Sequence, residues 1–169
     1  MINFFPKIPI RWVFASMLFL AMVLFPPIHL SHSYAGTFDA GLLSPLVATT
    51  PKGTFTYNIE LAVSSEQRRR GLMFRRVMPK DYGMLFDFDR TQKVAMWMKN
   101  TYLSLDMIFM RADGTIAHIV ENTTPHSLAT ISSRFPVRYV LELNAGEASR
   151  TGMRSGQIMK HSIFLKPGG

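Results

Sequence analysis

Two carboxylates lie inside apolar, strand-like segments, and they are the residues of this sequence best suited to chemistry. Asp106 belongs to the segment 94–110, which reads VAMWMKNTYLSLDMIFM, and Glu142 belongs to a second one, VRYVLELN. Alternate residues of a β-strand share a face, so Asp106 lies on the face of Ile108 and Met110 and is predicted to be half buried. A half-buried carboxylate needs a partner, because burying an unpaired charge is costly.

Two interpretations of this pair of carboxylates are open. As a general acid and a general base, Asp106 and Glu142 would serve hydrolysis of a cell-envelope polymer, as in glycosidases, where the separation of two carboxyl groups sets the mechanism. In the alternative, which the abundance of nearby basic residues favours, Lys99 or Arg75 neutralises each carboxylate in a structural network. Arg75 in particular is predicted to meet a carboxylate in a bidentate pair.

The polar residues of these segments also predict a binding pocket. We expect its ligand to be a small polar or carbohydrate-like molecule, or an anionic polymer of the cell envelope. Trp97 is either a platform for a sugar ring or filler of the core, and the methionines on both sides of it favour core filler. The predicted ligand-binding residues are Arg75, Lys99, Asn100, Thr101, Asp106 and Glu142.

The sequence carries no fingerprint of a cofactor, nucleotide or metal site. His118, His126 and His161 lie far apart without ligand spacing, and the chain has no cysteine, so no metal is expected. There is no G-x-S-x-G elbow, P-loop or dinucleotide motif. We therefore expect no cofactor and favour a binding or accessory module over an enzyme, with a structural protein-interaction domain as a further alternative.

The N-terminal segment has the pattern of a secretory signal. Lys7 and Arg11 form a positive n-region, and the uncharged apolar run 12–25 follows. An uncleaved membrane anchor is the alternative, but the run is shorter than the roughly 20 residues that a spanning helix needs. The sequence therefore predicts that residues 1–35 are cleaved after Ala35 and that the protein is periplasmic or extracellular.

The net charge of the chain is interpreted for a protein that lies outside the cytosol. The sequence has 19 basic and 11 acidic residues, and removal of Lys7 and Arg11 leaves 17 basic residues against 11 acids, a net charge of +6. Outside the cytosol such a surface serves solubility or anionic envelope polymers rather than nucleic acid. We expect no nucleic-acid partner, and contact with the membrane only through the signal segment before cleavage.

Local sequence patterns along the chain predict the helices and strands that position these residues. Segment 36–53, with two prolines and no periodicity, is predicted to be a tether, and 54–169 a single β-rich domain. Ser64 and Gln67 form a capping box that opens a helix over 64–74, and 147–151 forms one helical turn. The predicted fold is mainly β with one short α-helix, arranged as a two-sheet jelly-roll-like sandwich or a partly closed barrel. The predicted strands are 54–63, 83–88, 103–110, 115–121, 137–144 and 157–165.

Five sequence blocks follow one another in a characteristic order over about 57–165. The blocks are Arg68-x-x-Gly71-Leu72-Met73-x-Arg75, Gly83-Met84-Leu85-Phe86, Trp97-Met98-Lys99-Asn100-Thr101, Leu105-Asp106, and Val140-Leu141-Glu142-Leu143-x-Ala145-Gly146. In this order they resemble the family called Domain of Unknown Function 192. The resemblance implies a small exported or envelope domain with a mostly β, jelly-roll-like sandwich, and it implies no particular activity. Met96 stands where that family commonly has an aromatic residue, and Gln157 follows Gly156 where an acid is usual, which weakens a catalytic role.

Overall fold

Nine β-strands are the main secondary-structure elements of the computed structural model, which describes residues 43–165 of the chain. Two short α-helices and a final 3-10 helix complete this part of the chain, and none of its helices is long and apolar enough to cross a membrane. The strands are β1 Ser44–Thr50, β2 Gly53–Ala62, β3 Tyr82–Gln92, β4 Ala95–Met96, β5 Leu105–Met110, β6 Ile116–Val120, β7 Ile131–Ser132, β8 Val137–Asn144 and β9 Met159–Lys160. The helices are α1 Ser65–Arg70, α2 Glu147–Thr151 and the 3-10 helix Ser162–Leu165.

Seven of these strands form one curled sheet in the order β6-β5-β8-β3-β2-β1-β9, and β4 pairs with β7 in a small second sheet. The two ends of the large sheet meet, because Thr115 bridges Ile158 and the Ile116 N–H donates to the Gln157 carbonyl at 2.8 Å. The predicted mainly β class is confirmed, in its half-barrel form. Strands β2 and β3 are parallel, because α1 and the loop after it cross between them.

The large sheet is buried on both faces. The inner face of the half-barrel carries an apolar cluster that includes Tyr57, Ile108 and Leu141. The outer face carries a second cluster, which includes Phe86 and Met107. Every residue of β5 is buried, so the side chains on both faces of this strand must be apolar or hydrogen bonded. This explains why the sequence around β5 and β8 shows weak alternation despite being strand.

The predicted tether 36–53 is wrong over its second half, since β1 occupies Ser44–Thr50 and pairs with β2 along its whole length. Leu46 and Ala48 are fully buried, and they follow the alternation of a strand. Pro45 made this strand look like a loop in the sequence. β1 pairs with β9 at only two positions, and Pro45 is not one of them, so its missing N–H breaks no hydrogen bond between these two strands. Residues 36–42, like the predicted signal segment, lie outside the described residues.

Helix α1 opens as predicted and ends earlier than predicted. Ser64 accepts from the Gln67 N–H and Gln67 accepts from the Ser64 N–H, which completes the capping box. The helix stops at Gly71, whose φ of 46° and ψ of −136° lie outside the helical region, so the predicted extent to residue 74 is wrong. A Cβ at Gly71 would lie 3.1 Å from the Phe86 ring, so the end of α1 packs closely against β3 at this glycine.

The C-terminal strand is also shorter than predicted. Only Met159–Lys160 form a named strand, and the 3-10 helix Ser162–Leu165 takes the place of the last four residues of the predicted strand 157–165. His161 marks the change, because its Nδ1 accepts from the Ile163 N–H at 3.1 Å while its Nε2 bonds the Ser44 hydroxyl at 2.8 Å. These bonds turn the chain away from the sheet edge and attach it to the start of β1.

Candidate functional site

Asp106 and Glu142 lie on opposite faces of the large sheet. In the antiparallel pair β5–β8, Asp106 is opposite Leu143 and Met107 is opposite Glu142. Residues directly opposite each other share a face, and neighbours along a strand do not. The prediction that these two carboxyl groups act as an acid–base pair is therefore wrong, because the sheet separates them.

Asp106 is a structural residue. It is fully buried rather than half buried, and its partners are backbone amides rather than Lys99 or Arg75. The Asn122 N–H donates to its Oδ1 and the Ala148 N–H donates to its Oδ2, both at 2.9 Å. Ala148 lies in the first turn of α2, whose own N-cap is a glycine without a capping side chain. Asp106 therefore caps α2 from a neighbouring strand.

Arg75 forms the bidentate pair that the sequence predicts, and its partner is Glu60 on β2. The Arg75 Nη1 donates to Glu60 Oε1 at 2.6 Å, and its Nη2 meets Oε2 at 2.5 Å. Both side chains are largely buried, at 14% and 16% exposure. This pair ties the loop after α1 to the sheet, so Arg75 positions that loop and does not itself line the pocket described below.

The segment from Trp97 to Thr101 is a tight loop that holds three of the predicted site residues. Asn100 adopts a left-handed φ of 54°, and its carbonyl accepts from the Phe74 N–H at 2.9 Å. Thr101 is buried, and its hydroxyl donates to the Lys99 carbonyl at 3.2 Å. Lys99 is exposed, with its Nζ 5.3 Å from the centre of the Trp97 ring.

Trp97 is a surface residue, so the expectation that it fills the core is wrong. Its side chain is 51% exposed, whereas its neighbour Met98 is fully buried. The Thr101 N–H donates to the Met98 carbonyl at 3.1 Å, so the chain turns at this point and strand β4 has already ended. Met98 takes the core position, and the indole ring is left at the edge of a cavity.

That cavity has a volume of about 360 Å³ and lies between α1, the loop after it, β3, β8, and β4 with the loop that follows it. We call it the Glu142 pocket. Of the six predicted ligand-binding residues, Thr101 and Glu142 line it, and the other four do not. Eight of its fourteen lining residues belong to the sequence blocks that carry the family resemblance. The lining residues are Ser65, Arg68, Arg69, Arg70, Gly71, Leu72, Met73, Phe86, Phe88, Ala95, Met96, Trp97, Thr101 and Glu142.

Glu142 is the one acidic residue among those that line the pocket. It lies on β8, an interior strand of the large sheet, between Met84 and Met107, and it is only 4% exposed. Within residues 43–165 no group donates a hydrogen bond to it or pairs with its charge. Burial raises the pKa of the Glu142 carboxyl to about 8, so the side chain is mostly a neutral acid at pH 7. A neutral carboxyl group both donates and accepts hydrogen bonds.

Three consecutive arginines line the α1 side of the pocket. Arg68 is held in place, because it donates to the Asp87 carbonyl at 2.7 Å and pairs with Asp89 at 3.3 Å. Arg69 and Arg70 are exposed, and the side chain of neither makes a hydrogen bond or ion pair with another described residue. The pocket therefore joins a neutral acid, an apolar wall and free guanidinium groups.

Sequence reasoning missed the aromatic and methionine wall of the pocket. Phe86 and Phe88 come from β3, Met73 from the loop after α1, and Met96 from β4. Each of them resembles an ordinary core residue in the sequence. Gly71 is the signal that could have found them, because a glycine where a helix ends against an aromatic ring marks a close approach of elements.

A small half-barrel domain with one face opened into a pocket is the class of protein that this geometry defines. A family model for Domain of Unknown Function 192, described as "Uncharacterized ACR", matches residues 47–161. The match covers well over half of the chain, and the chain belongs to this family. No curated protein matches it.

Two solved structures show the same fold. A protein from Sinorhizobium meliloti 1021, described as a candidate transcription regulator, is 52% identical with a TM-score of 0.70, over 72% of this chain and 95% of that one. A protein of unknown function from Novosphingobium aromaticivorans DSM 12444 is 31% identical with a TM-score of 0.68, over 70% of this chain and 84% of that one. The match covers nearly the whole of the first relative's chain.

Proposed function

We propose that this protein is an exported module that binds a small ligand in the Glu142 pocket and does not transform it. The observation that carries the proposal is the buried Glu142 carboxyl, which lacks a partner among the described residues and faces a cavity large enough for a small molecule. The carboxyl oxygens are open to the cavity, since His118 Nε2 alone is a fully enclosed polar side-chain atom without a hydrogen bond among the described residues. A ligand that accepts the carboxyl proton there gains a hydrogen bond in a site of low dielectric.

The lining chemistry selects the ligand class. Trp97, Phe88 and Met96 offer a flat apolar wall, which suits the face of an aromatic or sugar ring. Arg69 and Arg70 at the α1 side attract an anionic group. The ligand is therefore a small ring with an anionic substituent and a neutral acceptor for Glu142. An acidic sugar and an aromatic acid share this chemistry, and the experiment below distinguishes them.

The proposal is tested by calorimetric titration of the fragment 36–169 with matched pairs of probes. N-acetylmuramic acid is compared with N-acetylglucosamine, and benzoate with benzamide, because each pair differs mainly by one anionic group. We expect the anionic member of one pair to bind more tightly by about tenfold or more, as a charge-assisted hydrogen bond to an arginine implies. Two anions that bind no better than their neutral partners would contradict the assigned chemistry.

Three substitutions locate the binding. Glu142→Gln keeps a donor and an acceptor, so it retains most of the affinity, whereas Glu142→Leu loses it. Arg69→Ser weakens the anionic probe alone, and the exposed Arg154, which lies outside the lining residues, is the matched control. Product analysis accompanies every binding probe: turnover abolished by Glu142→Gln with an unchanged melting temperature would replace the binding module by an enzyme.

Export rests on the signal pattern of residues 1–35 and has its own test. The intact mass of the protein recovered from the exporting cell should correspond to a chain that begins at Gly36. A full-length species extracted from the membrane would contradict cleavage while leaving the pocket proposal in place. The Sinorhizobium protein is described as a candidate transcription regulator, and we do not propose that role for this chain. No helix within residues 43–165 exceeds six residues, which is too short for a recognition helix.

A further inference from the structure

We propose that the surface beside the pocket mouth docks the protein on an anionic phospholipid bilayer. This surface, the loop patch, is formed by the loop after α1, the loop from Trp97 to Tyr102 and the loop after β6. It goes beyond the ligand-binding role and beyond the membrane contact through the signal segment that the sequence predicts. The exposed side chains of the loop patch are Phe74, Val77, Trp97, Tyr102 and Leu128, and its cations are Arg76 and Lys99.

Backbone contacts bring the three loops of the patch together. The Phe74 N–H donates to the Asn100 carbonyl at 2.9 Å, which joins the first loop to the second. The Met98 N–H donates to the Ser127 carbonyl at 3.0 Å, which joins the second loop to the third beside Leu128. The positions are held by hydrogen bonds, so their apolar side chains are displayed by a fixed backbone.

The apolar residues of the patch are exposed to an unusual degree. Phe74 is 56% exposed, Leu128 69% and Val77 74%, and Trp97 and Tyr102 are 51% and 40% exposed. Five large apolar side chains on adjoining loops are more than the scattered exposed residues that a soluble surface carries without cause. Tryptophan and tyrosine favour the boundary between head groups and acyl chains, because each has an apolar ring and a polar edge.

The cations of the patch lie against its aromatic rings. The Arg76 guanidinium lies 4.5 Å from the centre of the Tyr102 ring, and Lys99 lies 5.3 Å from that of Trp97. Neither forms an ion pair with a carboxylate among residues 43–165. The segments 63–78 and 95–102 contain six basic residues and one acid, Glu66, and the loop after β6 adds Glu121. Two of the six, Arg68 and Arg75, are paired with carboxylates, so four cations remain against these two acids. A surface of this sign attracts anionic head groups.

An anionic bilayer accounts for both the cations and the exposed apolar side chains of the loop patch better than a soluble polyanion does. A soluble polyanion or a nucleic acid engages the cations and can stack on the rings, but it gains nothing from exposed aliphatic chains such as Val77 and Leu128. A bilayer takes the cations at its head groups and the aliphatic chains just below them. The aliphatic contribution is therefore the feature that separates a bilayer from a polyanion.

The fragment 36–169 provides a direct reporter for this docking. The chain has two tryptophans, Trp12 and Trp97, so Trp97 is the only one in the fragment. We expect co-sedimentation with vesicles of phosphatidylglycerol and phosphatidylcholine at low salt, with a blue shift of the Trp97 emission and quenching by brominated acyl chains. Vesicles of phosphatidylcholine alone should give neither, and raising the salt should weaken the binding.

Matched variants decide the result. Arg76→Ser/Lys99→Ser should weaken vesicle binding on the order of 10-fold or more, whereas Arg154→Ser/Lys160→Ser, which removes two exposed cations elsewhere, should change it little. Leu128→Ser should weaken it and Ile158→Ser, with a similar 57% exposure, should not. The proposal is overturned if both members of a pair behave alike, if the Trp97 emission does not shift, or if heparin binds the fragment as tightly as the vesicles and independently of Leu128.

Discussion

Replacing Asp106 by alanine should strongly destabilise the domain. The substitution removes the acceptor of two backbone donors, the Asn122 N–H and the Ala148 N–H. A buried donor without a partner costs about 1–3 kcal/mol. The Ala148 amide is buried and bears the full cost, while the part-buried Asn122 amide can recover water. We therefore expect a loss of about 2–4 kcal/mol in the free energy of unfolding.

Denaturant melts of the fragment 36–169 measure this loss, and a matched variant controls for the removal of a charge. Asp113 accepts a single N–H, that of Thr115, in an exposed hairpin turn, so Asp113→Ala should cost well under half as much. Hydrogen exchange at the Ala148 amide should accelerate in Asp106→Ala and stay unchanged in Asp113→Ala. Equal losses in the two variants, or an unchanged exchange rate at Ala148, would refute the assignment of Asp106 as the cap of α2.

Three further predictions follow from the pocket and its supports. The folded-state pKa of Glu142 is raised from 4.5 to about 8, so between these pH values the folded protein keeps a proton that the unfolded chain has lost. The free energy of unfolding should therefore fall by about 1.4 kcal/mol per pH unit as the pH rises through this range. Melts of Glu142→Gln from pH 5 to 9 should lack this decline, and parallel curves for the two proteins would contradict it. Gly71→Ala should cost about 1–3 kcal/mol and weaken probe binding, because its left-handed backbone and the Phe86 ring both oppose a Cβ; Gly156→Ala, where nothing lies within 4 Å, bears the backbone cost alone and should leave probe binding intact. Arg75→Lys should cost about 1 kcal/mol, because lysine cannot keep a bidentate pair; a thermal melt within error of the wild type would show that the pair contributes nothing.

Much of the fold was predictable because it depends on local signals. The alternation of β2, the capping box of α1 and the helical turn at Glu147–Thr151 follow from adjacent residues, and the structure has all three. Strand β1 was missed because Pro45 and small residues imitate a loop, and only its pairing with β2 makes it a strand. The parallel pairing of β2 with β3 was also missed, because it depends on where α1, which connects the two strands along the chain, packs, and the local sequence does not show this.

The site was less predictable than the fold, because Asp106 and Glu142 look alike in the sequence. Each is a carboxylate in an apolar strand, but strand register places one beside two free backbone amides and the other between two methionines. Sequence reasoning chose the right strands and could not assign the faces. Trp97 shows the same difficulty, since a turn at Met98 decides which of two neighbours enters the core.

The most direct test of the central claim is a carbon NMR titration of the Glu142 side-chain carboxyl, with and without the tightest probe. The account predicts a pKa near 8 in the free domain. It predicts a further rise on binding, because a ligand that accepts a hydrogen bond from the neutral acid favours the protonated form. A titration near 4.5, the ordinary value, or a raised pKa that the bound probe leaves unmoved, would contradict the claim that Glu142 is the polar anchor of a ligand site.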